Sequence, residues 1–355
     1  MTITRNPDGT YNIPMATMSA TDLYALIGKL DLAQLAIDAG VTTPTPVPQP
    51  VPTPTPTPIP TSHKGIYAFS AGNASTLANK AGIAGINLIY PWITVNPSQG
   101  VYNWNMIASD MKPWIDNGKS IILRVASVGW KQWGPPKTTT SSWVPDDVLK
   151  DIPTTTSGDG TIKPQYWHPQ FVVAWSTFVK ALASQFDGHP NIAAIQICVG
   201  DGGETKPDTH NDADRLARWQ KIGYTDDVWF AYIKQVMDMY KSAFTKTPIV
   251  IMPDASFIST KPKYGMSDVL DEAVKRGIWL QDNGVMVGQV LKSADWTKTT
   301  VIAEQRNKTS VSGDKFEDDL IQGIVNEKAH MMLCFADDLV NADSALLAKY
   351  TAMIK

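Results

Sequence analysis

From about residue 64 onward the chain repeats one pattern. A short apolar run without alternation gives way to a polar loop, and the loop to a stretch in which apolar residues recur every three or four positions. The apolar runs are 65–69, 85–90, 120–125, 192–199, 248–252, 278–281, 300–304 and 330–335. Runs of this kind read as parallel strands covered on both faces, and the intervening stretches, such as 171–186 and 226–244, read as amphipathic helices. Eight strand–helix units predict an α/β chain closed into a (β/α)₈ TIM barrel over residues 63–355; a doubly wound open sheet is the alternative that periodicity leaves open. The first run continues into Ser70-Ala71-Gly72-Asn73, which has no glycine-rich dinucleotide fingerprint.

The pattern ahead of the barrel is different. Proline takes every second position from Pro44 to Pro60. Each proline fixes its own φ and biases its predecessor toward extended backbone, so residues 42–62 are expected to form a polyproline-like linker, a stalk or simply an interdomain spacer. At ~3.1 Å per residue it would hold its ends roughly 50 Å apart. Residues 1–41 read as a short helical module. Ser19, Thr21 and Asp22 are N-cap candidates, Gly40 closes the helix, and Leu23, Leu26, Ile27, Leu30, Leu35 and Ile37 gather largely on one side. A lone helix cannot bury that side, so the module is expected to self-associate or to dock on an assembly partner.

Composition narrows the function. The 355 residues hold 31 basic and 34 acidic side chains, a net charge of -3, which creates no field for nucleic acid. No apolar run approaches the ~20 residues of a membrane helix, so no membrane insertion is expected. The stretch from Met1 to Asp8 has no apolar signal-peptide core; with the stalk, this points to an extracellular or virion-surface protein released without a signal peptide, and otherwise to a cytoplasmic one. Five scattered histidines have no zinc-site spacing, so no metal and no cofactor is expected. Cys198 and Cys334, on the fourth and eighth runs, are expected as two buried free thiols facing each other across the barrel.

In a parallel barrel the residues at the C-terminal strand ends converge on one mouth. Two carboxylates stand there, Glu204 after the fourth run and Glu304 at the end of the seventh. Glycosidic cleavage needs such a pair, one acid to protonate the leaving oxygen and one carboxylate on the other side of the sugar. Twelve tryptophans supply flat apolar faces on which sugar rings stack. Trp92 follows the second run, and Trp130, Trp133 and Trp143 lie in the long segment after the third. Tyr67, Arg124, Asp201 and Asp282 complete the candidate glycan-binding set.

Two motifs carry a resemblance. Pro97-Ser98-Gln99-Gly100-Val101-Tyr102-Asn103-Trp104, after a strand ending Tyr90-Pro91-Trp92, is similar to the P-x-x-G-x-Y-x-W segment of clan A glycoside hydrolases, beta-galactosidase-like families among them. Phe186-Asp187-Gly188-His189-Pro190-Asn191-Ile192 looks like the turn those enzymes place before the strand bearing their acid/base. The resemblance implies a polysaccharide or glycan substrate, a retaining mechanism, Glu204 as acid/base and Glu304 as nucleophile. The chain departs from the pattern at Gly203, where that clan usually has Asn before its acid/base. It departs again at 87–90, where an Arg is often found, at 281–283 in place of Tyr, and at Phe335-Ala336 in place of Trp. The retained glutamates favour an enzyme; the substituted surroundings favour a non-catalytic glycan-binding or decoration protein. A purely structural appendage is the third alternative.

The stalk generates a direct test. Small-angle scattering of the full chain should report an elongated particle, because polyproline geometry has no internal hydrogen bonds to fold it back. A compact particle would contradict the expectation.

Overall fold

The computed structural model describes residues 4–5, 11–12, 63–69, 74–129, 142–157, 160–208, 213–254, 256–257, 261–285, 287–288 and 299–354. The helix expected over 20–39 and the linker at 42–62 lie outside these residues. The chain divides into two units, Met1–Pro52 and Thr53–Lys355. In the first, Thr4–Arg5 pairs antiparallel with Tyr11–Asn12.

The second unit is built on a closed barrel of eight parallel strands. They are β1 (Gly65–Phe69), β2 (Ile83–Pro91), β3 (Ser120–Ala126), β4 (Ile192–Gln196), β5 (Ile249–Ile251), β6 (Trp279–Val285), β7 (Val301–Gln305) and β8 (Met331–Phe335). Each pairs with its sequence neighbour, and β8 returns to β1 through Met331↔Gly65 to Phe335↔Phe69. All eight expected strands are present, and closure decides between the barrel and the open sheet.

Alternation along the strands sorts the side chains into two cores. Tyr67, Ile122, Val250, Trp279, Ile302, Met331 and Leu333 fill the lumen, while Ile66, Ile86, Leu123, Ile195, Ile251, Leu280 and Ala303 face the surrounding helices. Cys334 and Cys198 are free and buried, as expected, but both belong to the outer core. They therefore do not face each other across the lumen: on β8 the inward positions go to Met331 and Leu333, and Cys198 lies beyond the end of β4.

The helices cover the outer face. Among them are α1 (Trp104–Asp116), α2 (Pro169–Phe186), α3 (Asp226–Ala243) and α4 (Met266–Lys275). Proline at its first position starts α2, where a missing N–H costs nothing. Thr225 caps α3 by accepting from the Val228 amide. The inward face of α2, Phe171, Trp175, Phe178, Val179, Leu182 and Phe186, has helical spacing and is buried throughout.

The two resemblance motifs serve this packing. In the first, Asn96 ties its own turn by donating to Ser98 and Val101 carbonyls, Gly100 takes φ +78°, and Tyr102 stacks on Trp104, which meets Phe178 and Phe186 of α2. In the second, the Asp187 carboxylate accepts the backbone N–H groups of Thr245, Lys246 and Thr247, joining the α2–β4 turn to the α3–β5 turn.

At the centre of the aromatic layer Trp92 meets Trp175 edge-on at 4.8 Å, and Trp175 stacks on Phe178 at 5.2 Å. Trp175→Ala should cost about 3–5 kcal/mol of stability by cavity formation, read from urea unfolding. A change below about 1 kcal/mol would show that this layer does not hold α2 to the barrel.

Candidate active site

Above the apolar plug of the lumen lies a layer of inward-facing polar side chains: Asn87 on β2, Arg124 on β3, Gln196 on β4, Gln281 on β6 and Glu304 on β7. All five are buried. A polar group in such a place is tolerated only when bonded, and here each one serves the next. Gln196 Oε1 accepts from Asn87 Nδ2 at 2.9 Å and from Arg124 Nε at 2.7 Å. Gln196 Nε2 donates to Gln281 Oε1 at 2.6 Å. Gln281 Nε2 in turn donates to Glu304 Oε2 at 2.8 Å, and Arg124 Nη2 stands 3.5 Å from the same oxygen.

Glu204 reaches this layer from a folded-back loop after β4. The Val199 and Gly200 amides donate to the Gly203 and Glu204 carbonyls, and the Glu204 amide to Asp201 O. Gly202 and Gly203 take φ +65° and +95°. A Cβ at Gly203 would stand 2.8 Å from Met252 Cε and 2.9 Å from Cys198 Sγ. The glycine found where the resemblance calls for Asn is thus required by left-handed backbone in a tight space.

The Glu204 side chain lies between two partners. Its Oε1 accepts from Asn283 Nδ2 at 2.9 Å, and its Oε2 is 2.5 Å from the Lys206 ammonium. Lys206 Nζ also contacts Asp254 Oδ2 at 2.6 Å. Asn283 Oδ1 accepts from Gln281 Nε2 at 2.6 Å, so one asparagine and one glutamine link the two glutamates.

Burial governs the charges. It pushes the Glu304 carboxyl up, Arg124 opposes, and the negative charges of Glu204 and Asp282 add to the rise, leaving a pKa of about 8. Burial thus favours the protonated form of Glu304. Burial also raises the Asp282 carboxyl, against a hydrogen bond from the Gly284 amide. For Lys206 burial acts to lower the ammonium, but Glu204 and Asp254 more than reverse it and hold the pKa above the ordinary lysine value.

Glu204, Glu304 and Arg124 thus come together, whereas Asp282 sits on β6 between the inward-facing Gln281 and Asn283 and its carboxylate accepts from the Gly284 amide. Four other candidates do not come together there. Tyr67 points to the opposite end of the lumen, its hydroxyl donating to His63 O at 2.6 Å. Trp92 is buried under α2, with its indole N–H on Asn96. Trp143 is buried with its ring over Gly129, where a Cβ would stand 2.3 Å away. Asp201 is fully buried and paired at 2.6 Å with Lys163, equally buried, from the hairpin of Thr154–Thr156 and Ile162–Pro164. Trp130 and Trp133 lie outside the described residues. Sequence reasoning passed over Lys206, Gln196, Gln281 and Asn283 as site residues; inward register on β4 and β6 is the signal that could have found Gln196 and Gln281.

A closed barrel of eight parallel strands with a carboxylate pair at the C-terminal strand ends is a (β/α)₈ barrel, a fold that supports many chemistries through the loops at that mouth. Among solved structures, the catalytic domain of a beta-amylase from Paenibacillus polymyxa aligns with a TM-score of 0.60 at 11% identity, over 83% of this chain and 99% of that one. A beta-glucanase from Saccharophagus degradans, in complex with cellotetraose, aligns with a TM-score of 0.46 at 13% identity, over 82% of this chain and 87% of that one. The likeness is one of fold, and the beta-amylase domain carries it. The sequence matches no protein-family model and no curated protein.

The proton on Glu304 has a consequence for stability. A carboxyl raised on folding from 4.5 to about 8 leaves its stability contribution intact below the unfolded value and loses it as pH rises through the folded one. Glu304→Gln, which removes the titration, should therefore melt higher than wild type. The gap should open above about pH 5 and level off above about pH 8, at a few kcal/mol. Parallel melting curves from acid to alkaline pH would contradict the assignment.

Proposed function

We propose that the protein cleaves glycosidic bonds in a polysaccharide or glycan at the C-terminal mouth of its barrel, using Glu204 and Glu304. One observation carries the reading: two carboxyl groups, one after the fourth strand and one on the seventh, meet in a buried, hydrogen-bonded layer, one raised by burial and the other facing a cation. Proton donation to a leaving oxygen needs a group whose pKa lies near the working pH, and attack at the anomeric carbon needs an ionised carboxylate. A buried layer supplies the raised carboxyl, because water does not level it there, and the second glutamate lies against the Lys206 ammonium. We take the reaction to proceed with retention, as the sequence motifs imply; proton NMR of the first anomer released reads this directly.

We further propose that residues 1–62 act as a display arm, with the helical module joining a larger assembly such as a virion surface and the proline-rich stretch holding the barrel away from it. The apolar side of the module and the proline alternation support this.

A second reading keeps the barrel as a glycan-binding or decoration protein without turnover. It is favoured by the bonds that both glutamates already make within the chain. A panel of activated aryl glycosides separates the two. The enzyme reading expects release by wild type and, on the least activated members of the panel, a loss of about 100-fold or more in kcat for Glu204→Gln and for Glu304→Gln. Equal glycan binding by all three proteins, with turnover by none, would overturn it in favour of the second.

A further inference from the structure

Lys163 lies outside the polar layer, in the hairpin of Thr154–Thr156 and Ile162–Pro164, yet it is only 1% exposed. Its ammonium stands 2.6 Å from Asp201 Oδ1 and 3.6 Å from Asp208 Oδ1, two aspartates as buried as the lysine itself. These aspartates bracket the loop that carries Glu204. Three residues further along the hairpin segment, the Tyr166 hydroxyl donates to Pro207 O at 3.3 Å. The segment has its own footing: Gln165 N donates to Pro153 O and Gln165 Nε2 to Ile222 O, both at 2.7 Å. Asp208 is held a second time by the Trp219 indole N–H at 3.1 Å, and Trp219 stacks on Tyr166.

Burying three charges is a poor way to gain stability, because their desolvation offsets their attraction. What the cluster does supply is direction. Asp201 O accepts the Glu204 amide at 3.1 Å and the Gly200 amide donates to Glu204 O at 2.9 Å, so the backbone of Glu204 follows that of Asp201. On the barrel side the loop is tied through Gly202, whose amide donates to Val128 O and whose carbonyl accepts from Arg124 Nη1. On the hairpin side the charged tie is Lys163.

Resting on the glycosidase reading above, we propose that Lys163 is a positioning residue for that reaction: from outside the barrel it fixes the 201–208 loop, and through the loop the placing of the Glu204 carboxylate. The hairpin is then a working part of the site. Lys163 touches no substrate atom, and it has this effect whichever glutamate gives the proton. Its effect falls on rate, since a displacement of about 1 Å can cost on the order of 100-fold in turnover while substrate still binds.

The test uses the full chain. Lys163→Met alone would leave two buried carboxylates without their cation, so the informative variant joins Lys163→Met to Asp201→Asn, which removes the pair and keeps the net charge of the cluster. Trp175→Ala, in the layer under α2, is the control for a general loss of stability. Assayed below the melting transition on an aryl glycoside that wild type hydrolyses, the double variant should lose about 10- to 100-fold in kcat with KM within about threefold. Trp175→Ala should keep kcat within about threefold of wild type. In hydrogen exchange, the Gly200, Gly203 and Glu204 amides should open at least about 10-fold faster in the double variant relative to the amides of β4. That ratio should keep its wild-type value in Trp175→Ala. Asp201→Asn alone, which keeps the shape and an acceptor for Lys163, should show the same two changes in smaller size, with kcat down at least about threefold, so the test does not depend on the double variant folding. A wild-type kcat in these two variants overturns the positioning role and leaves the enzyme reading standing. An unchanged exchange ratio overturns it as well, because the loop then does not depend on Lys163. Wild type without turnover on any aryl glycoside is a failure of the enzyme reading instead, and the exchange ratio still decides whether Lys163 holds the loop.

Discussion

A hydrogen-bonded belt across the lumen is the interaction on which the site depends. Closing eight strands forces alternate residues inward, and above the plug of Tyr67, Trp279 and Met331 those residues are Asn87, Arg124, Gln196, Gln281 and Glu304. No one of them can be satisfied alone. Gln196 turns its oxygen to two donors and its amide to Gln281, which fixes the orientation of Gln281 and so the hydrogen bond that reaches Glu304. The charge state of Glu304 follows from this layer: one carboxyl, one amide donor and a more distant guanidinium, all removed from water.

The loop after β4 supplies the second half. Two left-handed glycines fold the chain back over the lumen, and Arg124 secures the turn by donating to Gly202 O at 3.1 Å. Asp201 anchors the outer side of the loop on Lys163. Breaking a buried pair of this kind by removing one partner is far more damaging than replacing both with apolar groups, so the anchor constrains the loop strongly. The same arginine thus touches the belt, the loop and Glu304, which ties the position of Glu204 to the barrel.

The fold was largely legible because strands covered on both faces must be apolar at every position, and that leaves a plain signal in sequence. Glu204, Glu304 and Arg124 were legible because strand-end position alone brings them to the mouth. Other candidates failed for physical reasons that periodicity does not encode. Tyr67 faces the lumen as expected of its strand, but its hydroxyl turns toward the N-terminal end to bond His63. Trp92 and Trp143 follow strands yet fold back into the outer core, where a large aromatic gains most from burial. Asp201 stands directly before the Gly202–Gly203 turn and finds its lysine, Lys163, far away in sequence. Lys206 was invisible because only the Gly202–Gly203 turn brings it to the carboxylate beside it.

The account turns on where one proton sits, and difference infrared spectroscopy reads that directly. Spectra of wild type minus Glu304→Gln at neutral pH should contain the carbonyl stretch of a protonated carboxyl group, and that band should disappear as pH is raised through about 8. A difference spectrum showing only carboxylate bands at neutral pH would mean that Glu304 is ionised, and would contradict the effect of burial on which this account of the polar layer rests.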